Sequence, residues 1–193
     1  MNNISIQNAI NVLKDGGVVV FPTDTAYGIG CRMDSEVAVK KIFEIKQRSA
    51  ENALLVLVDS VRMAEKYIKI PQDVRKKLVN KYWPGGVSIF LKCRPNKVLG
   101  IVTAGTDILA VRNPSHPIME RIIHAVGVPI IATSANLSGG VTPYSLSEVD
   151  QEILKHADFV LSGECTFKKE STIIDTTVKP WSIIRMGAVQ ISI

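Results

Sequence analysis

Cysteine is scarce in this chain. Cys31, Cys93 and Cys165 are the only three in 193 residues, far apart and without a Cys-x-x-Cys. Neither a disulfide framework nor a structural zinc site is expected from that usage, which fits a reducing, cytoplasmic compartment. No apolar run approaches the ~18 residues that a membrane-spanning helix needs. The opening "MNNISIQNAINVLKDGG" lacks the basic region and long apolar stretch of a signal peptide. No membrane partner is therefore expected. Aromatic residues make up only 6%, and none cluster beside the cations, which argues against a base-stacking platform. No Gly-x-x-x-x-Gly-Lys-Ser/Thr run is present, and "GIGCRM" lacks the third glycine of a dinucleotide fingerprint. A nucleotide would have to be held in some other way. His116, His124 and His156 fall on expected helices without metal-ligand spacing, and read as structural or surface residues.

What the chain does have is an ordinary globular balance: 46% hydrophobic and 21% charged residues, with a formal net charge of +5. The length suits one α/β domain, residues 1–193, around a single core. The mild basic excess favours anionic ligands such as nucleotides or tRNA. Ile6, Ile10 and Leu13 share a helical face that Gly16-Gly17 ends. "VVVF" (18–21), "LLVLV" (54–58), "VSIFLK" and "ILAVR" read as buried strands, with "PTDTAYGIG" as a loop after the first. Ser35 and Ser60 are placed to cap helices, Pro71 opens another that runs to Trp83, and Gly127 ends "HPIMERIIHAV". "PIIATSAN" reads as a strand that delivers a polar loop, and "LSEVDQEILKHA" as one helix. "FVLSG", "STIIDT" and "SIIRMG" read as late strands. Early alternation followed by clustered strands predicts an α/β fold, a twisted mixed sheet flanked by helices.

Several apolar strands end in polar loops: "VVVF" in Thr23, Asp24 and Thr25; "ILAV" in Arg112; "PIIA" in Thr133, Ser134 and Asn136; "SII" in Arg185. Open sheets bind ligands beyond their strand ends, so these residues are expected to converge. Lys46, Arg48, Arg112 and Arg185 would suit phosphate or carboxylate, and the hydroxyls add neutral hydrogen bonds. Taken singly, each feature has a plainer reading. Lys46-Gln47-Arg48 is a solvated pair, "TSAN" a turn and "PTDT" a helix cap. The Arg75, Lys76, Lys77 and Lys81 cluster reads as a solvated helix face.

In order, "GGVVVFPTDTAYGIGC", "IFEIKQRSAENALLV", "YWPGGVSIFLK", "LAVRNPSHP", "IIATSANLSGG", "STIIDTT" and "IIRMGA" resemble the YrdC family of threonylcarbamoyl-AMP synthases. The likeness runs from Gly16 to Ala188, and the length suits the family's short, single-domain form. The resemblance implies a concave basic cleft and a reaction. L-threonine, bicarbonate and ATP would give threonylcarbamoyl-AMP and pyrophosphate, with Mg²⁺ accompanying ATP. Downstream transferase proteins would then pass the group to the adenosine beside the anticodon of certain tRNAs.

The family's Lys-x-Arg and Ser-x-Asn signature falls on Lys46, Arg48, Ser134 and Asn136. The resemblance places threonine near Thr25, Arg112, Ala132 and Ser171, and ATP near Arg48, Asn52, Ser134, Thr142 and Arg185. It implies that Lys46 and Arg48 offset charge on the phosphates. Ser49 and Ala53 stand where prolines are usual, which predicts a less rigid loop. Leu57 stands where some members carry a histidine, and Ala26 where valine is common. Two other readings stay open: a tRNA- or double-stranded-RNA-binding module without turnover, and a carbamoyl-adenylate-forming module like that of hydrogenase-maturation proteins.

Overall fold

Helix α1 (Asn3–Lys14) forms because Ile6, Ala9, Ile10 and Leu13 recur on one face, and all four are buried. In this computed structural model, which describes residues 3–192, the chain then enters β1 (Val19–Pro22). It turns straight back as β2 (Tyr27–Gly30), pairing antiparallel from Val19↔Gly30 to Pro22↔Tyr27. The expected loop is therefore half strand. Its glycines are packing glycines: a Cβ on Gly30 would lie 1.9 Å from the Ile131 carbonyl oxygen and 2.9 Å from the Phe21 ring. Only a residue without a side chain lets these strands approach so closely.

Helix α2 (Glu36–Lys46) starts where Ser35 accepts the amide of Ala38 at 3.3 Å. It ends at Gln47, whose φ of 50° swings the chain out of the helix. Strand β3 (Leu55–Leu57) is shorter than the apolar run predicts, and Ser60 caps α3 (Val61–Ala64) as expected. The next helical stretch comes in three pieces, α4 (Gln72–Val74), a π-helical segment (Arg75–Val79) and α5 (Asn80–Tyr82). Strands β4 (Val87–Lys92) and β5 (Ile108–Arg112) follow, then α6 (Pro117–Val126), capped by His116 and ended by Gly127 at φ 81°.

The run "PIIATSAN" is not one strand. It divides into β6 (Ile130–Ile131) and β7 (Thr133–Ser134), which belong to different sheets and leave Ala132 between them. "LSEVDQEILKHA" likewise divides, because Asp150 caps a fresh helix, α7 (Gln151–His156), after a short 3-10 turn at Leu146–Glu148. Strands β8 (Phe159–Val160), β9 (Thr172–Asp175) and β10 (Ser182–Arg185) complete the described residues.

The mixed sheet is thus built as two. One has the order β7-β2-β1-β8, the other β10-β9-β4-β5-β3-β6, and both contain parallel and antiparallel neighbours. The core lies between sheets and helices, with Tyr27, Phe21, Leu13, Ile29 and Met33 among its largest fully buried side chains. The two sheets meet along residues 130–135. Ile131 donates its amide to Cys31, and Ala132 donates to Leu55.

Candidate functional site

The hairpin between β1 and β2 supplies the first polar wall. The Thr23 hydroxyl donates to the Ala26 carbonyl at 2.7 Å and accepts the amides of Thr25 and Ala26, each at 3.2 Å. A side chain that satisfies its own turn in this way needs no outside support. Thr25 Oγ1 lies 3.0 Å from Thr23 Oγ1. Behind them Asp24, fully buried, accepts Arg112 Nη1 at 2.5 Å and the Ser115 amide at 3.1 Å. Arg112, at the end of β5, is itself only 3% exposed, so this ion pair fixes the guanidinium in place. Both groups are out of water, so removing either would leave the other buried without its partner.

These residues open onto a cavity of about 330 Å³, toward the small end of small-molecule sites. Its lining includes Thr25, Arg48, Arg112, Ala132, Ser134, Thr142, Ser171 and Arg185. Eight expected site residues, drawn from distant parts of the chain, therefore share one wall. Among the described residues, three arginines and a single carboxylate, Glu170, line it. Ser88 on β4 donates its hydroxyl to Ser171 at 2.9 Å, both buried. Arg185 donates from Nε to the Ser171 carbonyl at 3.0 Å, from Nη2 to the Ser171 hydroxyl at 3.3 Å and from Nη1 to Glu170 at 2.7 Å.

Arg48 and Arg112 differ from Arg185. Each keeps a buried Nε with no hydrogen-bond partner among the described residues. Arg48 spends one Nη2 bond, 2.9 Å, on the Ala53 carbonyl, and burial lowers its pKa. A buried, unpaired donor costs about 1–3 kcal/mol. Both arginines line the same cavity.

Three expected site residues do not line the cavity: Lys46, Asn52 and Asn136. Lys46 is 2% exposed, and its ammonium donates to the carbonyls of Ser134 and Asn136, each at 2.5 Å. It lies beneath the "TSAN" loop and is not a solvated surface charge. Burial, aided by the nearby Arg48 charge and opposed by Asp150, pushes its pKa down to about 8. In the structure the Lys46 charge is directed at backbone carbonyls and not into the cavity. Asn136 is also buried, donating to the Gly140 carbonyl at 2.6 Å while its Oδ1 has no partner among the described residues. Asn52 is exposed and reaches only the Ser49 carbonyl at 3.5 Å.

Residue patterns passed over two members of this wall. Glu170 accepts from both Arg185 and the Thr142 hydroxyl, the latter at 3.1 Å. Ser88 sits mid-strand, where a small polar residue in "VSIFLK" reads as packing. The one available signal for Ser88 was a hydroxyl at an otherwise apolar, fully buried strand position.

Comparisons with known proteins identify the family. A family model described as telomere recombination (Sua5, YciO and YrdC) matches residues 11–187. The threonylcarbamoyl-AMP synthase of Bacillus subtilis is 33% identical over 189 residues, covering 97% of this chain and 55% of that protein. The protein of the same name from Photobacterium profundum is 30% identical over 185 residues, covering 95% of this chain and 99% of that protein. Among solved structures, P. abyssi Sua5 complexed with L-threonine superposes with a TM-score of 0.90 at 34% identity, covering 97% of this chain and 55% of that one. The chain spans about half the length of the B. subtilis and P. abyssi proteins.

Proposed function

This chain belongs to the Sua5, YciO and YrdC family, and we propose that it condenses L-threonine, bicarbonate and ATP into threonylcarbamoyl-AMP and pyrophosphate. Downstream proteins would carry the threonylcarbamoyl group to the adenosine beside the anticodon of tRNA. The observation that carries the reading is the pair of unpartnered guanidinium nitrogens on Arg48 and Arg112, set beside clustered hydroxyls in one cavity. Threonine brings a carboxylate for Arg112 and a hydroxyl for Thr25. A site that hydrogen-bonds this hydroxyl rejects valine, because its own polar group would lose a partner.

The threonine amine attacks bicarbonate, and loss of water leaves N-carboxy-threonine. The new carboxylate attacks the α-phosphorus of ATP, and pyrophosphate leaves. Arg48 and Arg185 meet the charge on the phosphates, an electrostatic role that needs no proton transfer. Lys46 holds the Ser134–Asn136 loop that forms the cavity's edge. Ser134 and Thr142 orient the nucleotide. Mg²⁺ would come with the phosphates, since the lining carboxylate, Glu170, is engaged by Arg185 and Thr142. Among the described residues no group of three His, Cys, Asp or Glu side chains could hold an ion. Phosphate-bound Mg²⁺ with few protein ligands is the usual arrangement for nucleotide sites.

The test is direct. Pyrophosphate release and formation of the adenylate are followed with all three substrates, then with each omitted in turn. Release that persists without threonine or without bicarbonate would overturn the assignment.

A further inference from the structure

Glu170 is the one carboxylate among the described cavity-lining residues, and it sits against the arginine assigned to the nucleotide. Its carboxylate accepts Arg185 Nη1 at 2.7 Å and the Thr142 hydroxyl at 3.1 Å, so a single side chain occupies two of the groups proposed to face ATP. The other two cavity arginines each retain an unpartnered nitrogen, whereas Arg185 has all three engaged by Glu170 and Ser171. A phosphate approaching Arg185 therefore meets a guanidinium whose charge already has a partner.

The backbone of Glu170 is held by its neighbours, while its side chain is partly exposed. The Ala188 amide donates to the Glu170 carbonyl at 2.7 Å, and a Cβ on Gly187 would lie 2.2 Å from that same oxygen. The Glu170 side chain is 37% exposed. Rotation about its side-chain bonds would free Arg185 and Thr142 without moving β9 or β10.

We propose that Glu170 is an internal competitor for Arg185 and Thr142, displaced when a polyphosphate enters, and that it thereby sets how tightly the cavity holds phosphate. The proposal rests on the nucleotide reading above. Glu170 acts through Arg185 and is a positioning residue, not a catalytic one. It also lowers the affinity for the leaving pyrophosphate, since that product meets the same returning carboxylate.

Binding of ATP and of inorganic tripolyphosphate is measured by calorimetry on the full chain, with EDTA present, for wild type, Glu170→Gln and Glu170→Ala. An ion pair about a third exposed is a modest competitor, so Glu170→Gln should tighten tripolyphosphate and ATP about 3- to 10-fold. Glu170→Ala should tighten them in the same direction. In an Arg185→Ala background the gain should vanish, which a loss of packing would not reproduce. Tripolyphosphate that tightens while ATP binds neither protein would support the competitor and sink the nucleotide reading. Unchanged or weaker tripolyphosphate binding in Glu170→Gln, or none to either protein, would overturn the competitor. Wild-type ATP affinity then judges the nucleotide reading on its own.

Discussion

Replacing Lys46 by methionine separates two roles that a buried lysine can have. The substitution keeps the apolar stem and removes the ammonium. Two carbonyls, those of Ser134 and Asn136, then lose their donor. At about 1–3 kcal/mol for each orphaned buried acceptor, that alone destabilises by several kcal/mol. The opposing term is the desolvated charge. With the pKa lowered from 10.5 to about 8, the folded state holds the proton less tightly than the unfolded state does. At about 1.4 kcal/mol per pH unit, keeping this lysine charged costs the wild type about 3 kcal/mol at neutral pH. The two terms nearly cancel, so at pH 7 Lys46→Met should unfold within about 2 kcal/mol of wild type.

The sign with pH follows from proton counts. Between pH 8 and 10.5 the unfolded chain binds more protons at this position, so wild-type stability rises relative to the variant as pH increases. The full difference, about 3 kcal/mol, is present above pH 10.5 and is lost as pH falls through 8. Urea unfolding of both proteins at about pH 7, 8, 9 and 10.5 measures it. A stability gap that stays flat across this window would show that Lys46 is not held at a depressed pKa by burial. The proposed synthase turnover should collapse in Lys46→Met even at neutral pH, because the cavity-edge loop loses its anchor.

Three further outcomes follow from the same geometry. Arg112→Ala strands the fully buried Asp24 and should destabilise by about 3–5 kcal/mol in urea melts; a loss under about 1 kcal/mol would mean the pair is not the lock described. Gly30→Ala forces a methyl to within 1.9 Å of the Ile131 carbonyl. It should cost about 3 kcal/mol or more, read as a lowered melting temperature or loss of soluble protein. Arg48→Ala removes one charge-assisted donor from the cavity and should weaken ATP binding at least about tenfold while leaving the melt unchanged; equal affinity in calorimetry would remove Arg48 from the nucleotide site.

Local signals carried much of this fold. Ser35 and Ser60 cap helices because the preference for a hydroxyl at a helix start is a property of a few neighbouring residues. The polar ends of "VVVF", "ILAV" and "SII" meet because strands of mixed sheets bring their ends together, and Thr25, Arg112 and Arg185 line one cavity. The failures are long-range. "YGIG" looks like a loop until Phe21, Ile131 and Thr133 press on it from other strands. "PIIATSAN" looks like one strand because nothing local shows that Ile131 and Thr133 pair with different sheets. Lys46 looks solvated until the carbonyls of Ser134 and Asn136, far along the chain, accept its hydrogen bonds. Glu170 has no local pattern at all, since its partners are Thr142 and Arg185.

The division at Ala132 has a consequence for how this chain tolerates length changes. Ile130 and Ile131 are in register with β3, and just beyond them Thr133 and Ser134 are in register with β2. An inserted or deleted residue here could not be absorbed by sliding one strand, because a slip that preserves one pairing turns the other inside out. The same slip would carry the Ser134 and Asn136 carbonyls away from Lys46. Residues 130–136 should therefore refuse changes of number. The loop from Arg94 to Asp107, whose outer residues are largely exposed, should show the opposite tolerance.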